Sequence, residues 1–217
     1  MDFFELMFNP DKILVIAPHT DDGELGCGGT IAKFTGKGTE VHYAAFSLCK
    51  KSLPPNVAHD TLEKECRTAT SLLGILPSNL HFFDFEVRVF SESRQKILDV
   101  LIELHNQIGP ALVLIPAMDD LHQDHRVIAE ESRRAFRNTT IWGYELPWNN
   151  DRFQSQIFVQ LEKNDLELKL KALKAYQSQA HRKYMAEDFI RSLSIVRGLQ
   201  ANSVFAEAFE IYRLYIA

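Results

Sequence analysis

A chain of 217 residues, 46% of them hydrophobic and 24% charged, has the composition of an ordinary globular protein, which excludes a disordered chain, a collagen and a low-complexity polymer. At about 150 residues per domain, one domain over residues 1–217 is expected, long enough to bury a core without disulfide staples. The formal net charge of −5 gives no overall pull toward nucleic acid or an anionic membrane, so neither is expected as a partner.

The chain opens on MDFFELMFNPDK, which has early acidic residues and no basic stretch and so does not read as a signal peptide. No apolar run approaches the roughly 20 residues of a membrane span, and a cytoplasmic protein is expected. Residues 13–17 (ILVIA) form a continuous apolar run, the pattern of a strand buried on both faces. Residues 29–36 read as a helix and 41–46 as a second strand. Residues 61–73 are helical with Gly74 as a carboxyl-terminal cap, and 80–85 form a third strand. The helix over 92–106 places Ile97, Leu98, Leu101 and Leu104 on one face, and Gly109-Pro110 breaks it before a fourth strand at 111–116. A helix over 124–136 and a strand near 139–144 follow. Helices at 166–180 and at 187–197, the latter ended by Gly198, precede strand character over 205–215. Alternating strands and helices predict an α/β fold, a Rossmann-like and mostly parallel sheet flanked by helices, whose site lies beyond the carboxyl ends of its strands.

Two of those ends carry imidazole and carboxylate groups. PHTDDGE follows the first strand and PAMDDLHQDH follows the fourth. His19 and Asp22 are three apart on a tight turn, and His122 and His125 are three apart at a helix start, so each pair can share a face. Two histidines and a carboxylate give a catalytic metal three protein ligands and leave room for water. Each stretch alone has a plainer reading, as a helix N-cap or a satisfied buried histidine. Clustering both without a cation would be costly. Gly26-Cys27-Gly28-Gly29 starts like a dinucleotide fingerprint, but Ile31 stands where the last glycine belongs, and tight packing of the helix start explains it instead. Cys27, Cys49 and Cys66 form no CxxC pair and read as free thiols.

APHTDDGELGCGGT, with DDLHQDH downstream, resembles the PIG-L/LmbE-like zinc-dependent N-deacetylases. FFDFEVRVF, WGYELPWNN, KALKAYQSQ and FAEAFEIYR are similar to that family as well, so the resemblance covers most of the chain. One departure is Gly23. Many members carry glutamate directly after the second aspartate, whereas here the acid is Glu24, as in the bacillithiol-type branch. The resemblance implies a metal cleft at the carboxyl ends of the strands, with His19, Asp22 and His125 as ligands to Zn2+; the same set also suits Fe2+ in a reducing compartment. It implies Asp21 as general base, His122 as oxyanion stabiliser or partner in the acid role, and Asp124 as a carboxylate orienting a histidine. The implied partner is a small N-acetylated sugar of the N-acetylglucosamine type. Arg88 is a candidate for an anionic aglycone, with a solvated strand-end charge as the plainer reading, and Tyr144, Trp148 and Asn149, beside Trp142, are candidates for a sugar platform, with core packing as the equal alternative. Lys169, Lys171, Lys174, Arg182 and Lys183 read as an exposed basic helix face. Another metal hydrolase such as a phosphoesterase, to which Asp119 and Asp120 would lend extra acids, an iron(II) oxygenase and a non-catalytic metal-binding domain are the alternatives. A homo-oligomer is compatible with the sequence, which does not decide it.

Overall fold

The computed structural model describes residues 9–216, so most of the amino-terminal stretch discussed above, residues 1–8, lies outside the described residues. Five parallel strands form the body of one sheet: β1 (Lys12–His19), β2 (Glu40–Ser47), β3 (Leu80–Phe82), β4 (Leu112–Pro116) and β5 (Thr140–Tyr144). β6 (Ile157–Leu161) and β7 (Phe205–Arg213) complete it, in the order β3-β2-β1-β4-β5-β7-β6. β7 runs antiparallel to both β5 and β6.

The helices are α1 (Asp22–Gly36), α2 (Thr61–Leu72), α3 (Arg94–Ile108), α4 (Gln123–Ala135), α5 (Lys163–Lys174) and α6 (Glu187–Gln200). They cover both faces of the sheet, which explains the uninterrupted apolar β1. Ile13, Val15 and Ala17 enter one core with residues of α1, α2 and α5. Leu14 and Ile16 enter the other with residues of α3 and α4. Successive side chains of a strand point to opposite faces, so a strand between two helix layers needs an apolar residue at every position. Among the described residues no helix is long and apolar enough to cross a membrane.

Several boundaries differ from the sequence reading, each for a local reason. α1 begins at Asp22, seven residues before the expected start at 29, because its glycine-rich stretch is a bend within the helix and not a loop; Cys27 alone leaves helical geometry (φ −144°, ψ 23°). α6 runs past Gly198, which is where the chain leading into β7 crosses the helix: a Cβ there would lie 2.5 Å from the Val204 carbonyl oxygen. β6, a five-residue edge strand, was not expected. Lys169, expected on an exposed face, is 2% exposed and pairs with Glu207 at 2.6 Å.

The neighbouring β1 and β4 set the position of the site. The chain leaves β1 toward one side of the sheet and β4 toward the other, which opens a crevice at their carboxyl ends, where doubly wound sheets bind ligands. His19 is the last residue of β1, and His122 to His125 follow β4 at the start of α4.

Candidate metal centre and cleft

Three ligand atoms from the two motifs meet at this crevice. His19 Nδ1 is 3.0 Å from Asp22 Oδ2, Asp22 Oδ2 is 3.1 Å from His125 Nε2, and the two ring nitrogens are 3.1 Å apart. That triangle is the spacing of donors sharing one cation with bonds of about 2 Å. Both donors of imidazole type are set for ligation by what holds their other nitrogen. Asp124 Oδ2 lies 3.1 Å from His19 Nε2, and Asp120 Oδ2 lies 2.7 Å from His125 Nδ1. A carboxylate there fixes the proton on the far nitrogen and leaves a lone pair toward the metal. The donor set therefore fits a divalent metal of the zinc or iron(II) type.

His19, His122 and His125 also form a group with ring nitrogens within 4.8 Å of one another. Asp22 is the better third donor on geometry. His122 caps α4, its Nδ1 accepting the Asp124 backbone N–H at 3.2 Å. The proton of the neutral ring then sits on Nε2, which makes that nitrogen a donor and not a ligand.

Electrostatics follow from this packing. Burial disfavours the Asp22 carboxylate, but the His125 and His19 rings hold its pKa well below the usual range. Burial likewise opposes a charged His125, and the Asp22 and Asp120 carboxylates overcome it, raising the pKa to about 10. Burial and the neighbouring Asp22 charge push Asp21 up to about 6. Burial, with the His125 and His19 rings, pushes His122 down to about 4, so that it is neutral near pH 7.

A cleft of about 250 Å³ lies over the centre. His19, Asp21, Asp22, Arg88, His122, His125, Trp148 and Asn149 all line it, together with Arg182 and Tyr184, which were not expected there. The Trp148 and Tyr184 rings stack at 4.4 Å and 9°, and the Arg182 guanidinium lies 5.8 Å from the Tyr184 centroid. One expected residue stands elsewhere. Tyr144 is fully buried in the core, its hydroxyl donating to the Ile16 carbonyl at 3.0 Å; β5 has helices over both faces, so its aromatics pack inward. Asp124 is fully buried behind His19. It also accepts the backbone N–H of Arg88 at 2.6 Å, which pins that arginine in a left-handed conformation (φ 73°) that a residue with a Cβ adopts at a cost. Asp124 thus joins His19 to the loop that carries Arg88.

Asp120 and Glu24 carry roles the sequence did not assign. Both Asp120 oxygens are engaged, one by His125 and the other by the His122 backbone N–H at 2.8 Å. Its position two residues before one histidine and five before another was the only available signal. Glu24 is fully buried against the Tyr43 and Tyr176 hydroxyls, both of which also reach the Thr20 carbonyl. Burial raises its carboxyl to about 8, against the two tyrosine hydrogen bonds. Gly23 is needed beside it: a Cβ there would lie 2.6 Å from the Tyr43 ring.

Comparison with known proteins identifies the family. Residues 14–136 match the PIG-L family, described as GlcNAc-PI de-N-acetylase. The chain is 30% identical over 170 residues to the uncharacterized deacetylase YaiS of Escherichia coli, covering 76% of this chain and 90% of that protein. Its fold is similar to that of N,N'-diacetylchitobiose deacetylase from Pyrococcus horikoshii, with a TM-score of 0.78, 22% identity and coverage of 99% and 97% of the two chains. It is also similar to GalB, a 4-carboxy-2-hydroxymuconate hydratase from Pseudomonas putida, with a TM-score of 0.76, 18% identity and coverage of 95% and 98%. One fold thus serves different reactions, and the site has to identify the chemistry.

Proposed function

The chain belongs to the PIG-L family of GlcNAc-PI de-N-acetylases, and from that premise we propose that it is a metal-dependent hydrolase that removes the N-acetyl group from an N-acetylglucosamine-type amino sugar. The observation that carries this reading is the triangle of His19 Nδ1, Asp22 Oδ2 and His125 Nε2, closed by 3.0–3.1 Å contacts beside an uncommitted carboxylate, Asp21, in the same cleft.

His19, Asp22 and His125 hold the cation, with Zn2+ as the favoured metal. Such a cation polarises a carbonyl and lowers the pKa of water to about 7. Asp21, adjacent to a ligand but absent from the triangle, takes a proton from the attacking water on its carboxylate and returns it to the departing amine. His122, neutral and with its proton on Nε2, donates to the oxygen that becomes negative as the amide carbon turns tetrahedral. That division assigns His122 the oxyanion and Asp21 the proton transfers. Asp120 and Asp124 act through the histidines they orient.

For the substrate, the stacked Trp148 and Tyr184 offer an aromatic surface to a sugar ring, with Asn149 beside it. Arg88 is available to an anionic or hydroxyl-rich aglycone. The match of residues 14–136 to the GlcNAc-PI de-N-acetylase family supports an amino sugar in this cleft. The test is acetate release by the metal-reconstituted protein from free, glycosidic and nucleotide-linked N-acetylhexosamines. Release that a chelator abolishes is expected. A metal-loaded protein inert toward the entire panel, yet hydrating unsaturated acids, would replace this reading with that of a hydratase.

A further inference from the structure

α1 is broken at Cys27, and the break is bridged by a buried ion pair from two other elements. In an unbroken helix the Gly29 N–H would donate to the Leu25 carbonyl, four residues earlier. Here the Gly29 N–H donates to Glu207 Oε1 at 3.0 Å and the Leu25 carbonyl accepts from Lys169 Nζ at 2.7 Å. Lys169 and Glu207 meet each other at 2.6 Å, so the pair links the carbonyl before the bend to the amide after it. Glu207 Oε2 also takes the Thr30 N–H at 2.7 Å. The carboxylate therefore caps the amides at the start of the second helical segment, and the ammonium caps a carbonyl at the end of the first. The packing at the bend is close: a Cβ at Gly28 would lie 3.0 Å from Lys169 Cγ, and one at Gly29 3.2 Å from Glu207 Oε1 and 2.5 Å from Leu161 Cδ1.

The first segment, residues 22–26, is a single short turn. It carries Asp22, follows Asp21 and places Leu25 in the cleft. A stub of this length has too few backbone bonds to hold its own direction. We infer that Lys169 and Glu207 are positioning residues that clamp this turn at a fixed angle to the rest of α1, so that Asp22 meets His19 and His125 while Asp21 faces the cleft. Neither touches substrate or metal. A buried pair is costly to desolvate, and a hydrophobic pair would fill the space without aiming the turn. The expense is explained by the two carboxylates that the turn delivers.

This inference rests on the metal reading above, and the experiment separates the two. Glu207→Asp keeps the charge but shortens the reach to the two amides. The double variant Lys169→Met with Glu207→Gln removes both charges and leaves neither stranded. Leu104→Ala, in the core beneath α3, serves as a destabilised control. Each protein is loaded with cobalt(II), and its visible ligand-field spectrum, cobalt affinity, kcat and KM are measured. Glu207→Asp is expected to shift the bands, weaken affinity by about 10–100-fold, as loss of an orienting partner does, and lower kcat with KM little changed. The control should lose thermal stability while retaining its spectrum. Wild-type spectra and affinity in Glu207→Asp and the double variant, with only the melting temperature reduced, would overturn the clamp and leave the metal reading standing. If the double variant does not fold, the spectrum of Glu207→Asp decides alone. A wild-type protein that takes no cobalt would overturn the metal reading and the clamp with it.

Discussion

Replacing Asp120 by asparagine should loosen the metal centre although Asp120 touches neither metal nor substrate. The site requires two acceptors, because Oδ2 faces His125 Nδ1 at 2.7 Å and Oδ1 receives the His122 backbone N–H at 2.8 Å. Asparagine has one acceptor and one donor end. If its oxygen stays on the His122 N–H, its amide faces His125 Nδ1 and drives the ring proton onto Nε2, the atom meant for the metal. If it turns round, two donors oppose each other at His122 in a fully buried position, an unsatisfied contact costing about 1–3 kcal/mol. Either arrangement predicts metal affinity weaker by about 10–100-fold, equivalent to about 1.4–2.8 kcal/mol at 1.4 kcal/mol per tenfold. Competition with a chromophoric chelator at fixed pH measures this. Affinity within twofold of the wild type would refute the argument that Asp120 sets the His125 tautomer.

Asp21→Asn should bind metal like the wild type yet lose about 10²–10⁴-fold in kcat, the range for a general base; nearly full turnover would assign the base elsewhere. His19→Ala should lose the metal as well as activity, which elemental analysis of the purified protein reads directly. His122→Gln should lower kcat by about 10²–10³-fold, as loss of an oxyanion donor does, with metal content unchanged; a metal-free variant would make His122 a ligand. Glu24 gives a pH prediction. Its folded pKa, about 8, lies above the unfolded value, so its contribution is fully present below about 4.5 and is lost as pH rises through 8, with a slope of up to about 1.4 kcal/mol per pH unit. Glu24→Gln should remove that slope. Denaturant titrations of the chelated proteins from pH 5 to 8 test it, and a wild-type-minus-variant difference that does not change with pH would contradict it.

The features legible in the sequence were those with local signatures. The apolar runs of β1 and β4 and the residues just beyond them located the crevice, because strand order places those two ends together. His19, Asp22 and His125 were readable through motif resemblance and their spacing. Asp120 was visible as an acid but not as a partner of His125, since that pairing depends on how the turn into α4 is wound. Tyr144 was misplaced because an aromatic after a buried strand reads the same whether it faces a ligand or a helix. Lys169 was assigned to solvent from the charge of its neighbours, yet its partner Glu207 is 38 residues away and the amides that Glu207 caps are 178 and 177 away. The bend at Cys27 was hidden for the same reason: a glycine cluster reads as tight packing of a helix start until the elements that press against it are known.

Zinc titration of the metal-free protein, with acetate release followed at each addition, tests the central claim most directly. The rate on the best N-acetylhexosamine should rise linearly and level off at about one metal per chain, as a centre with three protein ligands requires. Zinc bound at that ratio without acetate release from any N-acetyl sugar, or activity that persists after the metal is removed, would contradict it.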